Sequence, residues 1–294
     1  MSAHNHPIFL VFGATGTVGR QVAGALLRRG AQIRVAAREA ARAQDLAALG
    51  AEIVEADLEA PESLPRAFEG VTGVALITPF VPHQVDLVRN AVAAAKVAGV
   101  EILVRMSGTG ADPSAPLMVA RTHGEAEAVI EASGLPHVIV RPTFFQDNLI
   151  TFMAVGIKAE GAWSGAAGGG ATAYVSAEDI GEVIAALLLN PSDWLGARLE
   201  LTGPEAHTDA EIARWISEIA GYAVQYLDLP PDELRQGMLD SGAPEWMADD
   251  MVGLEQVKAA GWASAVSPDV SRVLGRPAKA MRDHLRDRGA AFRR

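Results

Sequence analysis

The sequence predicts an α/β fold: a doubly wound parallel sheet with helices on both faces, joined to a smaller, mostly helical C-terminal lobe. Three observations predict it. Short apolar runs recur through the first half of the chain and end at turn-forming residues. Stretches with helical spacing alternate with them and are stopped by glycine. A glycine-rich turn at 13–19 separates the first run from the first helical stretch. Right-handed crossovers between parallel strands leave few other ways to pack such an alternation.

Taken in order, residues 8–12 are an unbroken apolar run, as expected of a strand buried on both faces. Residues 17–29 have helical spacing, with Val18, Val22, Ala25, Leu26 and Leu27 turned inward and Gly30 as the stop. Residues 33–37 form a second strand, 40–49 a helix closed by Gly50, and 52–55 a third strand, with Pro61 opening a helix after it. Strands follow at 74–77, 102–104 and 138–140, separated by helices at 85–98 and 120–132 that stop at Gly99 and Gly134. Beyond about residue 150 the pattern changes. The Gly- and Ala-rich stretch 161–171 reads as a loop, Tyr174-Val175 as a short strand, 178–189 as an apolar helix, 198–201 as a strand and 209–220 as an amphipathic helix. Two domains follow: 1–150 for the sheet, and 151–294 for a lobe whose elements partly interleave with it.

The 294 residues carry a formal net charge of -11, which disfavours nucleic acid and anionic membrane surfaces as partners. Apolar residues are 49% of the chain, enough for a sizeable core. The absence of cysteine excludes disulfides, thiolate metal sites, iron–sulfur clusters and a cysteine nucleophile. No apolar run nears the roughly 20 residues of a membrane-spanning helix. The polar start of the chain lacks the pattern of a secretory signal, so the cytoplasm is the expected location. His4 and His6 stand near the N-terminus, and no cluster has metal-ligand spacing, so no metal is expected.

The turn Gly13-Ala14-Thr15-Gly16-Thr17-Val18-Gly19 follows a strand and opens a helix. That is the context in which such a turn binds a dinucleotide, and it marks a Rossmann-type sheet. Gly13 permits the tight turn, Gly16 lets the backbone approach a diphosphate, and Gly19 lets the helix pack on the strand. The helix N-terminus adds partial positive charge. At the end of the second strand Arg38 suits the 2′-phosphate of NADP(H), whereas the adjacent Glu39 would suit the ribose of NAD(H). NADP(H) is favoured, with Glu39 assigned to the start of the next helix. Asp57 and Leu58, after the third strand, are placed at the adenine, Asp57 by hydrogen bond and Leu58 by packing. The alternative for Asp57 is a turn or helix cap. Thr78 and Pro79 after the fourth strand, Ser107 after the fifth, and Pro142 and Thr143 after the sixth complete the expected cofactor rim.

Three further motifs, Val-Arg-Met-Ser-Gly at 104–108, His-Gly-Glu-Ala-Glu at 123–127 and Arg-Pro-Thr-Phe-Phe-Gln-Asp-Asn at 141–148, stand in order with the glycine turn and with Leu-Thr-Gly-Pro at 201–204. Together they resemble the NmrA-like group of atypical short-chain dehydrogenases over nearly the whole chain. The resemblance implies an NADP-binding domain, a small C-terminal lobe and a substrate cleft between them. It embraces quinone reductases, reductases of aromatic or conjugated molecules, and redox sensors that bind the cofactor without turning it over.

Typical short-chain dehydrogenases use Tyr-x-x-x-Lys as the acid and its partner. None of Tyr174, Tyr222 and Tyr226 has a lysine four residues on, and the matching stretch carries His123 and Glu127 instead. Two substitutes stand as weak catalytic candidates. Ser107 would hydrogen-bond a substrate oxygen, or be a strand-end turn residue. His123 would donate a proton, or pair with Glu127 one helical turn away. Phe80, Phe144, Phe145 and Trp163 are candidate walls for a flat substrate, with core packing as the alternative for each. The stretch 107–116 reads as a flexible rim. The function expected is an NADP(H)-dependent reductase passing hydride to a small conjugated or aromatic acceptor. The alternative is a non-catalytic NAD(P)-binding redox sensor. The apolar helices of the C-terminal half would serve a homodimer or a lobe packed on its own sheet.

Overall fold

The computed structural model describes residues 7–294, so His4, His6 and the N-terminal segment weighed above lie outside the described residues. In chain order the elements are β1 (Ile8–Phe12), α1 (Thr17–Arg28), β2 (Gln32–Ala37), α2 (Gln44–Ala48), β3 (Glu52–Glu55), α3 (Leu64–Phe68), β4 (Val71–Leu76), α4 (Gln84–Ala98), β5 (Ile102–Met106), α5 (Met118–Ala132) and β6 (His137–Pro142). Then come α6 (Ala154–Glu160), β7 (Ala162–Gly165), β8 (Ala171–Thr172), α7 (Ala177–Leu189), β9 (Arg198–Leu201), β10 (His207–Thr208), α8 (Asp209–Ala220), β11 (Gln225–Asp228), α9 (Pro231–Asp240), α10 (Glu245–Ala259), α11 (Asp269–Leu274) and α12 (Met281–Asp287). None of the described helices is long and apolar enough to cross a membrane.

The residues group into two compact units. The first holds residues up to Pro142 together with Ala177–Leu201 and Asp269–Gly275. The second holds Thr143–Ser176, Thr202–Pro268 and Arg276–Arg294. The sequence suggests a boundary at residue 150 and a partly interleaved lobe; the chain passes from one unit to the other five times, with α7, β9 and α11 belonging with the sheet.

The first unit is a seven-stranded parallel sheet in the order β3-β2-β1-β4-β5-β6-β9. The chain winds outward from β1 to β3, then crosses to β4 on the other side of β1. That reversal opens a crevice at the carboxyl ends of β1 and β4, where this topology binds ligands. The strands are apolar on both faces because helices cover both. On α1, Val18, Val22, Ala25 and Leu26 are buried, and the helix packs against α7. Leu10, Phe12, Phe68 and Leu76 lie in the core.

The second unit pairs β7 in parallel with β11 and β8 antiparallel with β10. Around them α6, α8 and α12 pack through Ile157, Ile212, Ile216 and Leu285, joined by Phe292 from the 3-10 turn after α12.

Several boundaries differ from the sequence reading. The expected loop at 161–171 contains β7 and β8. Its small residues hid the strand because pairing with β11 is long-range. Tyr174-Val175 is not a strand but a single bridge between Val175 and Phe145. Residues 40–49 split into a 3-10 turn and the five-residue α2, with no side-chain cap on either. β4 begins three residues early, because Gly73 interrupts the apolar run. A Cβ there would come within 2.7 Å of the Phe9 ring.

Candidate functional site

The turn between β1 and α1 is built from close backbone approaches. Gly13 has φ +73°, and a Cβ on it would lie 2.7 Å from the Ile77 carbonyl oxygen. The Gly16 N–H donates to the Gly13 carbonyl at 2.9 Å. A Cβ on Gly19 would lie 2.2 Å from that same carbonyl oxygen. The turn therefore folds only with glycine at 13 and 19. Gly16 is the N-cap of helix α1, with no side-chain cap and no acid in the first turn. The leading N–H groups of the helix, those of Thr17, Val18 and Gly19, are thus left for an anion. The side chain of Val18 turns into the core while its backbone stays on the turn.

At the end of β2, Arg38 and Glu39 are both exposed. Among the described residues neither side chain has a hydrogen bond or ion pair. Glu39 gives its carbonyl to Arg42 N at the start of the 3-10 turn, as the sequence suggests. Asp57 Oδ1 accepts from the Glu59 N–H at 3.0 Å, the turn role held as its alternative. Leu58 is 7% exposed and lies in the core with Leu10 and Phe12, so its side chain does not stand at the sheet edge ready to pack on a base.

After β4, Thr78 is buried and its Oγ1 has no partner, an orphaned hydroxyl beside the turn-packing Ile77. Pro79 is exposed and Phe80 half-buried. The stretch is held from beneath by Arg105, which is fully buried on β5. It donates to Gln84 Oε1 at 2.8 Å and to the Leu76 carbonyl at 3.2 Å, while Gln84 donates to the Pro79 carbonyl at 3.3 Å. Burial pulls its pKa down to about 9, against the opposing pull of Glu127. Arg105 stands in the motif 104–108, but no local pattern marks a strand arginine as a buried brace.

Ser107 follows β5 and is 3% exposed. Its Oγ donates to Glu127 Oε1 at 2.5 Å. Glu127 also accepts a two-pronged bond from Arg141, 2.9 Å from Nε and 2.6 Å from Nη2. The expected local pair of His123 with Glu127 is therefore replaced by a pair between α5 and β6, because Arg141 on β6 presents a guanidinium fork to the carboxylate. His123 Nδ1 is buried without a partner. Burial, helped by the charges of Arg105 and Arg141, pushes the His123 pKa down to about 3. The side chain is a neutral imidazole at physiological pH, which removes the imidazolium that a proton donor would need.

The sign for stability follows. The unfolded chain takes a proton at His123 near pH 6.5, the folded chain only near 3. His123 thus contributes stability that is present above about pH 6.5 and lost as pH falls toward 3. Replacing it with glutamine is expected to flatten the acid side of the melting-temperature curve between about pH 6 and about pH 4. The same variant should leave the shape of the pH–rate profile between about pH 6 and about pH 8 unchanged. Thermal melts and steady-state rates at stepped pH check both.

Of the remaining predicted residues, Pro142 ends β6, with its carbonyl accepting from Thr109 N at 3.0 Å, and Thr143 opens the second unit, buried. In that unit Phe144, Phe145 and Trp163 are brought together around a cavity of about 80 Å³. Phe80 belongs to the first unit. The cavity is smaller than the roughly 300 Å³ that encloses a whole drug-sized ligand, so it takes the edge of a ring at most. Trp163 lies tilted against Tyr226, ring centroids 5.7 Å apart, and Phe144 meets Tyr174 edge-on.

The same cavity holds a polar cluster absent from the sequence reading. Lys258 Nζ donates to Asp209 Oδ2 at 2.6 Å and to Glu255 Oε1 at 2.9 Å, and the Tyr174 hydroxyl donates to Asp209 Oδ1 at 2.6 Å. Burial and Asp209 hold the Tyr174 pKa well above its ordinary value, so it is no general acid. Two local signals pointed here. Thr208 and Glu211 form a capping box that fixes Asp209 in the first turn of α8. Glu255 and Lys258 sit three apart on one face of α10.

A larger apolar groove of about 590 Å³ lies between α3 and α4, lined by residues such as Leu64, Phe68 and Val97. It borders the start of β4 and the end of α4, away from the carboxyl edge of the sheet.

The NmrA-like family model matches residues 6–278. The NAD(P)H azoreductase of Xenophilus azovorans is 34% identical over 285 residues, 97% of this chain and 99% of that protein. Quinone oxidoreductase 2 of Escherichia coli K12 is 29% identical over 270 residues, 91% of this chain and 93% of that one. The crystal structure of an NADPH-dependent quinone oxidoreductase from Escherichia coli with NADPH bound superposes with a TM-score of 0.85 at 28% identity, covering 95% of this chain and 98% of that chain.

Proposed function

Because the chain belongs to the NmrA-like family, we propose that it is an NADPH-dependent reductase that passes hydride to a small, flat, conjugated acceptor such as a quinone. The coarser statement, an NAD(P)H-dependent oxidoreductase, rests on the family and on relatives matched over nearly their whole length. The observation that carries the choice of NADPH is the exposed, unpaired guanidinium of Arg38 at the end of β2. It stands in line with a glycine turn that has no room for side chains at 13 and 19. The residues present fit a dinucleotide: a backbone cradle, an uncapped helix N-terminus, and the orphaned hydroxyl of Thr78.

When bound, the cofactor supplies the hydride. The N-terminus of α1 would hold the diphosphate, and Arg38 would hold the 2′-phosphate. The Arg105–Gln84 brace fixes the stretch bearing Thr78, Pro79 and Phe80. Neither His123 nor Tyr174 supplies a proton. A quinone delocalises the charge that arrives with the hydride, so water gives the second hydrogen of the hydroquinone, and the protein's contribution is orientation. Within the second unit, Phe144, Phe145 and Trp163 gather aromatic edges around one cavity.

Steady-state reduction of 1,4-naphthoquinone by the wild type and by Arg38→Ala tests the reading. The wild type should favour NADPH over NADH in kcat/KM. Loss of a hydrogen-bonded charge pair, about 1.5–3 kcal/mol, should lower kcat/KM for NADPH by roughly 10- to 100-fold in the variant and leave NADH nearly unchanged. Faster wild-type turnover with NADH would sink the cofactor assignment.

A further inference from the structure

Ser107 ends a strand at the edge where the cofactor's second half must lie. In the order β3-β2-β1-β4-β5, Arg38 marks the adenine side at β2, so the nicotinamide side runs over the ends of β4 and β5. The polarity of Ser107 there is set by its neighbours. Glu127 Oε1 accepts from Ser107 Oγ at 2.5 Å and from Arg141 Nε at 2.9 Å, and Oε2 accepts from Arg141 Nη2 at 2.6 Å. An ion-paired carboxylate only accepts, so the serine's one proton is spent on it. The Ser107 N–H is spent as well, on the Val140 carbonyl at 2.8 Å. What Ser107 still offers is the lone pairs of Oγ. The hydroxyl of Thr78 at the end of β4, by contrast, is unspent.

Resting on the NADP(H) reading above, we propose that Ser107 is a hydrogen-bond acceptor locked by Glu127 and Arg141, and that it receives the carboxamide N–H of the nicotinamide rather than donating to a substrate oxygen. A ribose hydroxyl would be served by a serine of either polarity, since it both donates and accepts. A serine whose proton is committed can only accept, and the amide N–H2 is the group on the nicotinamide half that only donates, so the two polarities match without ambiguity. Glu127 and Arg141 are then positioning residues: they never touch the ligand but decide which way the serine hydroxyl points. This gives Glu127, at the position that matches the lysine of the missing Tyr-x-x-x-Lys, a different use, in reading the cofactor's amide instead of serving a proton donor.

Calorimetric titration of wild type and Ser107→Ala tests this with three probes. These are NADP⁺, its 3-acetylpyridine analogue, in which a methyl group replaces the amide nitrogen, and 2′,5′-ADP, the adenine half alone. The wild type is expected to bind NADP⁺ about 5- to 10-fold more tightly than the analogue, the worth of one hydrogen bond. Ser107→Ala should lose that margin by weakening NADP⁺ alone, with the analogue and 2′,5′-ADP unchanged. Arg141 still covers Glu127 in the variant, so the fold has a reason to survive. Equal affinity of the wild type for NADP⁺ and the analogue would overturn the proposal whatever the variant does. So would equal losses for NADP⁺ and the analogue, or a loss for 2′,5′-ADP as large as that for NADP⁺. A wild type that binds neither NADP⁺ nor 2′,5′-ADP would bring down the nucleotide reading itself.

Discussion

Gly19→Ala is expected to lose at least roughly 100-fold in NADPH affinity, from an overpacking cost of about 3 kcal/mol concentrated in the binding turn. The new Cβ would stand 2.2 Å from the Gly13 carbonyl oxygen, 2.5 Å from its carbon and 2.8 Å from Ala14 Cα. All three are backbone atoms, with no side chain to rotate aside. Relief comes only by opening the turn or lifting α1 from β1, and both scatter the N–H groups proposed for the diphosphate. Gly16 is the internal comparison. Its φ is −92°, and a Cβ there would meet nothing nearer than 3.3 Å. Gly16→Ala should keep the wild-type melting temperature, whereas Gly19→Ala should melt lower. Fluorescence titration with NADPH and thermal melts on the two variants read both effects.

Lys258→Met is expected to destabilise the protein by about 3–5 kcal/mol, the cost of stranding buried charge. Lys258 is 5% exposed and answers two carboxylates, Asp209 and Glu255. Burial works against its charge, but those two acids outweigh the burial and raise its pKa. Its stabilising contribution is therefore complete below the unfolded lysine value of about 10.4 and is lost only above it. Without the ammonium, Asp209 keeps the Tyr174 hydroxyl, and Glu255 keeps the Ala166 N–H at 3.0 Å. Neither bond neutralises a charge. Both carboxylates are then stranded without a cation beside them. Protonation relieves a stranded carboxylate, so the destabilisation should shrink as pH falls and the melting midpoints of variant and wild type converge toward acid. A gap that stays constant from about pH 8 to about pH 5 would mean that packing of the lysine stem, not its charge, is what the fold uses.

The sheet was legible because its signals are local. Apolar runs such as 8–12, glycine stops such as Gly99, and the turn at 13–19 each fix an element without knowledge of the rest. β9 and the helix at 209–220 were found to the residue for the same reason. β7 escaped because Ala162–Gly165 is small and broken in pattern, and it is a strand only by virtue of β11, some sixty residues later. Site residues divide along the same line. The glycine cradle and Arg38 follow from position along one βαβ unit. The partner of Ser107 does not, because it comes from helix α5, and Arg141 on β6 takes the Glu127 that the helix spacing had offered to His123. Lys258 and Asp209 lie 49 residues apart and meet through two helices. No periodicity carries that pairing, although the capping box at Thr208 and the Glu255–Lys258 spacing each showed half of it.

The central claim is that NADPH bound at the glycine turn is spent on a conjugated acceptor. Anaerobic single-turnover mixing tests it most directly: protein loaded with one equivalent of NADPH is mixed with naphthoquinones, enones and azo dyes in turn, and NADPH absorbance is followed. The account predicts stoichiometric loss of NADPH with at least one quinone, matched by formation of the hydroquinone. NADPH that binds tightly yet stays reduced against every acceptor would contradict it and return the chain to the reading of a redox sensor.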